Sequence, residues 1–233
     1  MESTIKKISI PLLLLVLLVA AYSNSFRDGF HFDDFHQIVE NPNVRDLGNI
    51  PAFFYSAGMG SVNTSLRGYR PVTYSSFSLS YAVSGYSPGG YRLFNLLLHF
   101  LNALLVYAIV RRVVSTRGGD SGGEWAALIA AAAFALHPVQ TNAVTYISGR
   151  AVLLASFFSL ASFYCFLRFR SGGGYAWGAA LPVLFLLGLL SKEMAVALPA
   201  LCWHTTSCLS DRRRRPHPGK GRHGSFICPW PER

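Results

Sequence analysis

The charged residues of this chain stand in clusters, and the stretches between clusters are long enough to cross a bilayer. Ile8–Phe26, Leu93–Val110, Trp125–Gly149, Ala151–Leu167 and Ser171–Ser191 contain no Asp, Glu, Lys or Arg. A spanning helix needs about 17–25 mostly apolar residues, and every one of these stretches is that long. Of 233 residues only 14% are charged and 51% are hydrophobic, whereas ordinary soluble domains carry roughly 25% charge. The pattern excludes a soluble single-domain enzyme. It predicts an all-α fold, a polytopic transmembrane helical bundle.

The net charge of +10 does not indicate nucleic acid, because much of it sits in residues 211–233, where Arg212–Arg215, Lys220, Arg222 and Arg233 outnumber Asp211 and Glu232. The remaining basic residues stand mostly at helix ends, where they orient a membrane protein. Cys165, Cys202, Cys208 and Cys228 lack the spacing of a disulfide framework or a zinc site.

Lys6 and Lys7 precede Ile8–Ala21, which holds ten Leu, Ile or Val residues, together worth about −3 to −6 kcal/mol on insertion. A cleavable leader fits this segment as well, given the small residues at Ala20 and Ala21. Residues 24–90 follow as a large external loop. Spans are then expected near Leu93–Val110, Trp125–Leu136, from Arg150 to Arg168, and Tyr175–Leu190, with a sixth beginning after Ser191-Lys192-Glu193. The third is expected to stop at His137-Pro138, since a residue preceding proline leaves the helical region. Lys6, Lys7, Arg111, Arg112, Arg117, Arg168 and Arg170 fall on one side, and Arg150 and Lys192 on the other, which places the N-terminus in the cytoplasm. The first loop, His137–Arg150 and Ser191–Glu193 then face outward together. Residues 1–203 form this region of five to six helices. Residues 204–233, rich in Pro, Arg and His, are expected as a disordered basic tail, with the natural frame ending near Trp203.

Arg92, Asn95, His99 and Asn102 recur at steps of three, four and three, which sets them on one face of the second span, turned toward other helices. Interhelical hydrogen bonding accounts for Asn95 and Asn102; Arg92, nearer the outer end, is the candidate ligand contact. Asp33 and Asp34 lie between aromatic residues shortly after the first span. Two such carboxylates suit proton abstraction from an alcohol or coordination of a divalent metal, although a helix cap or solvated turn explains most such pairs. Arg70, Arg150 and Lys192 face the same compartment, where they either bind a phosphate or anchor helices at the headgroup layer. Asn63-Thr64-Ser65 is a glycosylation acceptor in a lumenal setting.

Several of these residues fall in recognisable motifs: Phe32-Asp33-Asp34, Asn41-Pro42 with Val44, Tyr69-Arg70-Pro71-Val72-Thr73, the Asn95 to Tyr107 stretch, Ala135-Leu136-His137-Pro138-Val139-Gln140-Thr141, Ile147-Ser148-Gly149-Arg150 and Leu190-Ser191-Lys192-Glu193. In this order they resemble the membrane half of the transmembrane and tetratricopeptide-repeat protein O-mannosyltransferases of the GT-C superfamily and their bacterial relatives, over residues 1 to about 201. The chain departs from that pattern at Asn142, Val152 and Arg92, where relatives commonly carry Glu, Asp and His, and the downstream repeats are not in it.

The resemblance implies a membrane glycosyltransferase that takes a sugar, mannose by family, from a polyprenyl-phosphate donor and passes it to a hydroxyl of a protein acceptor. It implies an integral membrane location, in a bacterial inner membrane or the endoplasmic reticulum. Asp33 and Asp34 match the family's acidic pair, so one would deprotonate the acceptor as it attacks the anomeric carbon with inversion. Arg70, Arg92, His137, Arg150, Lys192 and Glu193 would contact substrate, and a divalent metal remains an open partner of the aspartates. The reading from a different class is a non-catalytic polytopic protein, a transporter fragment or scaffold. Transport calls for polar stripes in several helices, and the third to fifth spans carry Ala, Leu, Phe, Gly and Ser instead.

Overall fold

The computed structural model describes residues 2–63, 68–115 and 120–214, and no β-strand occurs among them. The helices are α1 (Glu2–Tyr22), α2 (Ile50–Phe53), α3 (Pro71–Ser84), α4 (Pro88–Ser115), α5 (Asp120–Leu136), α6 (Thr141–Thr145), α7 (Arg150–Arg170), α8 (Tyr175–Leu189) and α9 (Leu198–Arg214). Residues Met1–Ala195 form one compact unit and Val196–Arg233 a second. Ile10–Arg27, Pro88–Ser115 and Ile147–Arg170 are long and apolar enough to cross a membrane. Gly123–Leu136 with Pro138–Thr145, bent by 48°, makes a fourth if counted as one broken span. His137 is extended at φ −64° and ψ 129°, as a residue before proline must be, and that is where the long uncharged stretch from Trp125 breaks. The apolar α8 has 15 residues, about 22 Å at 1.5 Å per residue and short of a hydrocarbon core of roughly 30 Å.

In the first unit α4 is central, packing on α5 and on α7, while α7 packs on α8 and α1 on α4 and α5. Leu18, Tyr22, Leu96, Leu98, Ala103, Ala135, Val144, Leu153 and Leu154 form the bundle core. The polar stripe of α4 turns inward: Asn95, His99 and Asn102 are fully buried. Asn95 Nδ2 donates to the carbonyls of Val144, Tyr146 and Ile147, His99 Nε2 lies 3.0 Å from Ala135 O, and Asn102 Nδ2 donates to Leu153 O. Each bond satisfies a group that lipid would leave bare.

The expected external loop is folded. Ile38, Val44, Phe53, Tyr74, Phe77, Tyr91 and Ile147 pack into a second core that covers one end of the bundle. Pro71 opens α3 at the first helical position, where the missing N–H is no loss, and Gly85 ends it with φ +54°. Three contacts bring separate stretches to this same end: Ser148 donates to Asp34, Thr73 Oγ1 to Ser191 O, and Val72 N to Leu190 O. The first loop, His137–Arg150 and Ser191–Glu193 therefore share one end of the fold.

Gly149 is a steric requirement of that end. An added Cβ would lie 2.7 Å from Ala143 O and 2.9 Å from Asn142 O, both backbone atoms that cannot swing aside. Gly149→Ala is expected to destabilise the protein by about 1–3 kcal/mol through overpacking, read as a lower thermal midpoint in detergent; an unchanged midpoint would remove the constraint.

In the second unit α9 runs past His204 to Arg214. Pro199 sits in its first turn, where proline is tolerated, and the hydroxyls of Thr205, Thr206 and Ser207 donate back to Leu201, Cys202 and Trp203 carbonyls. Residues 215–233, Arg117, and Thr64 and Ser65 of the glycosylation motif lie outside the described residues.

Candidate functional site

The adjacent aspartates do different things. Asp34 is fully buried, with Oδ2 accepting from His31 N at 3.0 Å and Oδ1 from Ser148 N at 2.9 Å and Ser148 Oγ at 2.6 Å. It staples the first loop to the turn before α7. Burial pushes its carboxyl above the usual carboxylate range, against the opposing pull of the Ser148 and His31 hydrogen bonds. Asp33 has its side chain 50% exposed. Its amide donates to the Tyr146 hydroxyl at 2.9 Å. The two carboxylates therefore stand in opposite environments, one enclosed and the other half open.

His36 stands one turn beyond Asp33, with Nε2 3.3 Å from Asp33 Oδ1 and Nδ1 2.7 Å from Ser61 Oγ. The segment Phe35–Val39 is a π turn, a wider coil frequently found at functional positions. Burial, more than the Asp33 and Asp34 charges, raises the Tyr146 hydroxyl to about 12, so it remains a neutral donor at physiological pH. Tyr146 and His36 escape sequence reasoning, and Ser148 is marked only by its place in the Ile147–Arg150 motif; the step of three from Asp33 to His36, close to one helical turn, hints at the second.

The expected cations separate. Arg150 does not reach the open surface: it is fully buried, with Nε donating to Asn95 Oδ1, Nη1 to Ser76 O and Ser80 Oγ, and Nη2 to Tyr91 O at 2.7–2.9 Å. Phe77, Tyr91 and Phe94 rings surround its guanidinium at 4.5–5.5 Å. Arg92, 2% exposed, ties α4 to the first loop through Asp28 O and Gly29 O and to α6 through Thr145 O at 3.1 Å. Arg70 is more open. Its Nη2 lies 3.3 Å from Glu193 Oε1, and its Nε has no hydrogen-bond partner. Glu193 is exposed and held below the usual range by its own backbone amide, with Arg70 and Lys192 adding to the effect. Tyr74, raised by burial, feels both the Arg70 and Asp33 charges. His137 is exposed, and its Nδ1 accepts from Val139 N at 3.2 Å, capping the following turn.

Beside Asp33 opens a pocket of about 360 Å³ lined by Asp28, His31, Phe32, Arg92, Asn142, Thr145 and Tyr146. Among the described residues no three His, Cys, Asp or Glu side chains gather as metal ligands. The Asp34 oxygens are committed to protein donors and Asp33 has an imidazole against it, so these residues do not fit a divalent-ion site. What the arrangement offers is a half-open carboxylate joined to a polar, aromatic-walled pocket through two of its lining residues, Phe32 next in the chain and Tyr146 hydrogen-bonded to the Asp33 amide.

Comparison with known proteins gives the context. Residues 8–215 match the family model described as dolichyl-phosphate-mannose-protein mannosyltransferase. The chain is 30% identical over 196 residues to mouse Protein O-mannosyl-transferase TMTC3, 33% over 197 to Drosophila Protein O-mannosyl-transferase Tmtc2, and 34% over 191 to mouse Protein O-mannosyl-transferase TMTC2. These matches cover 82%, 80% and 78% of the chain but only 20%, 20% and 22% of the relatives, so it spans about a fifth of their length. No solved structure matches it. With a family match that runs from the first span into α9, and with the acidic pair and the polar stripe of α4 inside it, the chain belongs to the dolichyl-phosphate-mannose-protein mannosyltransferase family.

Proposed function

We propose that this protein transfers mannose from a polyprenyl-phosphate donor to a hydroxyl of a protein acceptor, at the end of the bundle where Asp33 opens, and that this end is the non-cytoplasmic one. The observation that carries the reading is the contrast within the acidic pair: Asp34 is enclosed and hydrogen-bonded, whereas Asp33 is half exposed beside a pocket. Asp33 is the general base. It takes the acceptor proton as the acceptor oxygen bonds to the anomeric carbon from the face opposite the leaving group. The bond from that carbon to the phosphate oxygen breaks, and its electron pair leaves with the lipid phosphate.

Arg70 offsets the charge that grows on this phosphate, exchanging Glu193 for a phosphate oxygen. Lys192 and His137 stand on the same end as further contacts, Lys192 as a point charge. Asp34, Arg92 and Arg150 hold the frame. The test is mannose transfer from dolichyl-phosphate mannose by membranes carrying the protein and by an Asp33→Asn variant; wild-type rates in the variant would sink the assignment.

A further inference from the structure

Phe32 combines three properties that rarely meet. It has φ +45°, a left-handed backbone that costs a bulky residue of order 1–3 kcal/mol and persists where the surroundings impose it, commonly at functional sites. Its ring is 85% exposed, so packing within the protein does not explain the conformation. It also lines the pocket and immediately precedes Asp33.

The rest of the lining says what the pocket takes. Arg92 spends donors on the carbonyls of Asp28, Gly29 and Thr145, and Asp28 lines the same pocket with the opposite charge, so an anion finds no free cation there. Asp28, Asn142 and the Tyr146 hydroxyl present hydrogen-bonding groups of both kinds, while the Phe32 and Tyr146 rings offer apolar faces. Acceptors and donors around an aromatic wall suit a neutral ring carrying several hydroxyls. A compact pocket of about 360 Å³ also suits one ring better than an extended peptide.

We propose that this pocket is the hexose subsite, with Phe32 as the platform on which the sugar's C–H face stacks. The inference rests on the transfer reading above and deepens it: a sugar seated here lies next to the Asp33 carboxylate through Phe32 and through Tyr146, whose hydroxyl bonds the Asp33 amide. Lipid phosphate would then stay outside the pocket, toward Arg70.

The experiment is saturation-transfer NMR on the full chain in detergent micelles with methyl α-mannopyranoside as probe. Wild type is expected to transfer saturation to the ring protons. Phe32→Gly removes the ring and accepts the left-handed backbone without strain, so it should raise the thermal midpoint by a few degrees and weaken probe binding by about tenfold or more. A gain in stability together with a loss of binding is not produced by a structural role. Absence of saturation in wild type, or undiminished saturation in Phe32→Gly, overturns the subsite. So does displacement of the probe by farnesyl phosphate or by a Ser/Thr-rich peptide, which would assign the pocket to the leaving group or the acceptor. Asp33→Asn should keep probe binding while losing transfer; if it keeps both, the transfer reading fails and the sugar site stands.

Discussion

Asp33→Asn should lower mannose transfer by about 100-fold or more, the range a positioned general base contributes, and leave the thermal midpoint unchanged. Asp34→Ala should do the reverse, depleting folded protein before activity can be measured. The two substitutions alter neighbouring residues of like chemistry, and the structure separates them by environment. Asp33 contributes a half-exposed carboxylate in contact with His36, while its amide donates to Tyr146. Asparagine fills the same volume there and still hydrogen-bonds, but it cannot take a proton at neutral pH. Asp34 is buried and accepts three hydrogen bonds that join residues 114 positions apart in the case of Ser148. Alanine leaves His31 N and both Ser148 donors without partners in an enclosed space, at about 1–3 kcal/mol for each buried group left unpaired. Membrane assays of transfer paired with detergent unfolding curves check both halves. Equal loss of activity and equal loss of stability in the two variants would show that the division between base and staple is wrong.

Arg150→Lys should destabilise the fold by about 3 kcal/mol or more, in the range measured when one partner of a buried charged network is removed. The charge is retained, so the effect isolates geometry. A guanidinium presents a planar fork, and here it reaches Asn95 on α4, Ser76 and Ser80 on α3, and the Tyr91 carbonyl, while three aromatic rings enclose its faces. A lysine ammonium has three donors on one point and no faces to stack. Some of those acceptors would be abandoned in a site with no water access, since Arg150 has no exposed surface. The loop core containing Phe77 and Tyr91 should loosen first, visible as faster amide exchange there than in α7. Wild-type unfolding of Arg150→Lys would instead free Arg150 for the phosphate role its motif suggests.

The placement of Arg150 also marks what a sequence can carry. Long uncharged stretches fix the helical bundle, because hydrocarbon tolerates only backbones whose polar groups are paired internally. His137-Pro138 fixes a break, since proline's ring bars the helical conformation before it. The steps of three and four from Arg92 to Asn102 fix an inward polar face, because helical periodicity is a local property. These follow from near neighbours in the chain. The order of motifs likewise suffices to identify the family.

Only the tertiary structure decided which charged group is open and which is enclosed. Asp33 and Asp34 differ by one position, and nothing local says that Ser148 will arrive to cover the second and Tyr146 to flank the first. Arg70 and Arg150 read alike as basic residues at loop ends, yet α3, α4 and the aromatic cluster close over one and leave the other beside Glu193. The folded core of the first loop is hidden for the same reason: Ile38, Phe53, Phe77 and Ile147 are scattered apolar residues until they meet. Burial depends on contacts between residues far apart in the chain, and protonation, reach and accessibility to substrate follow from burial.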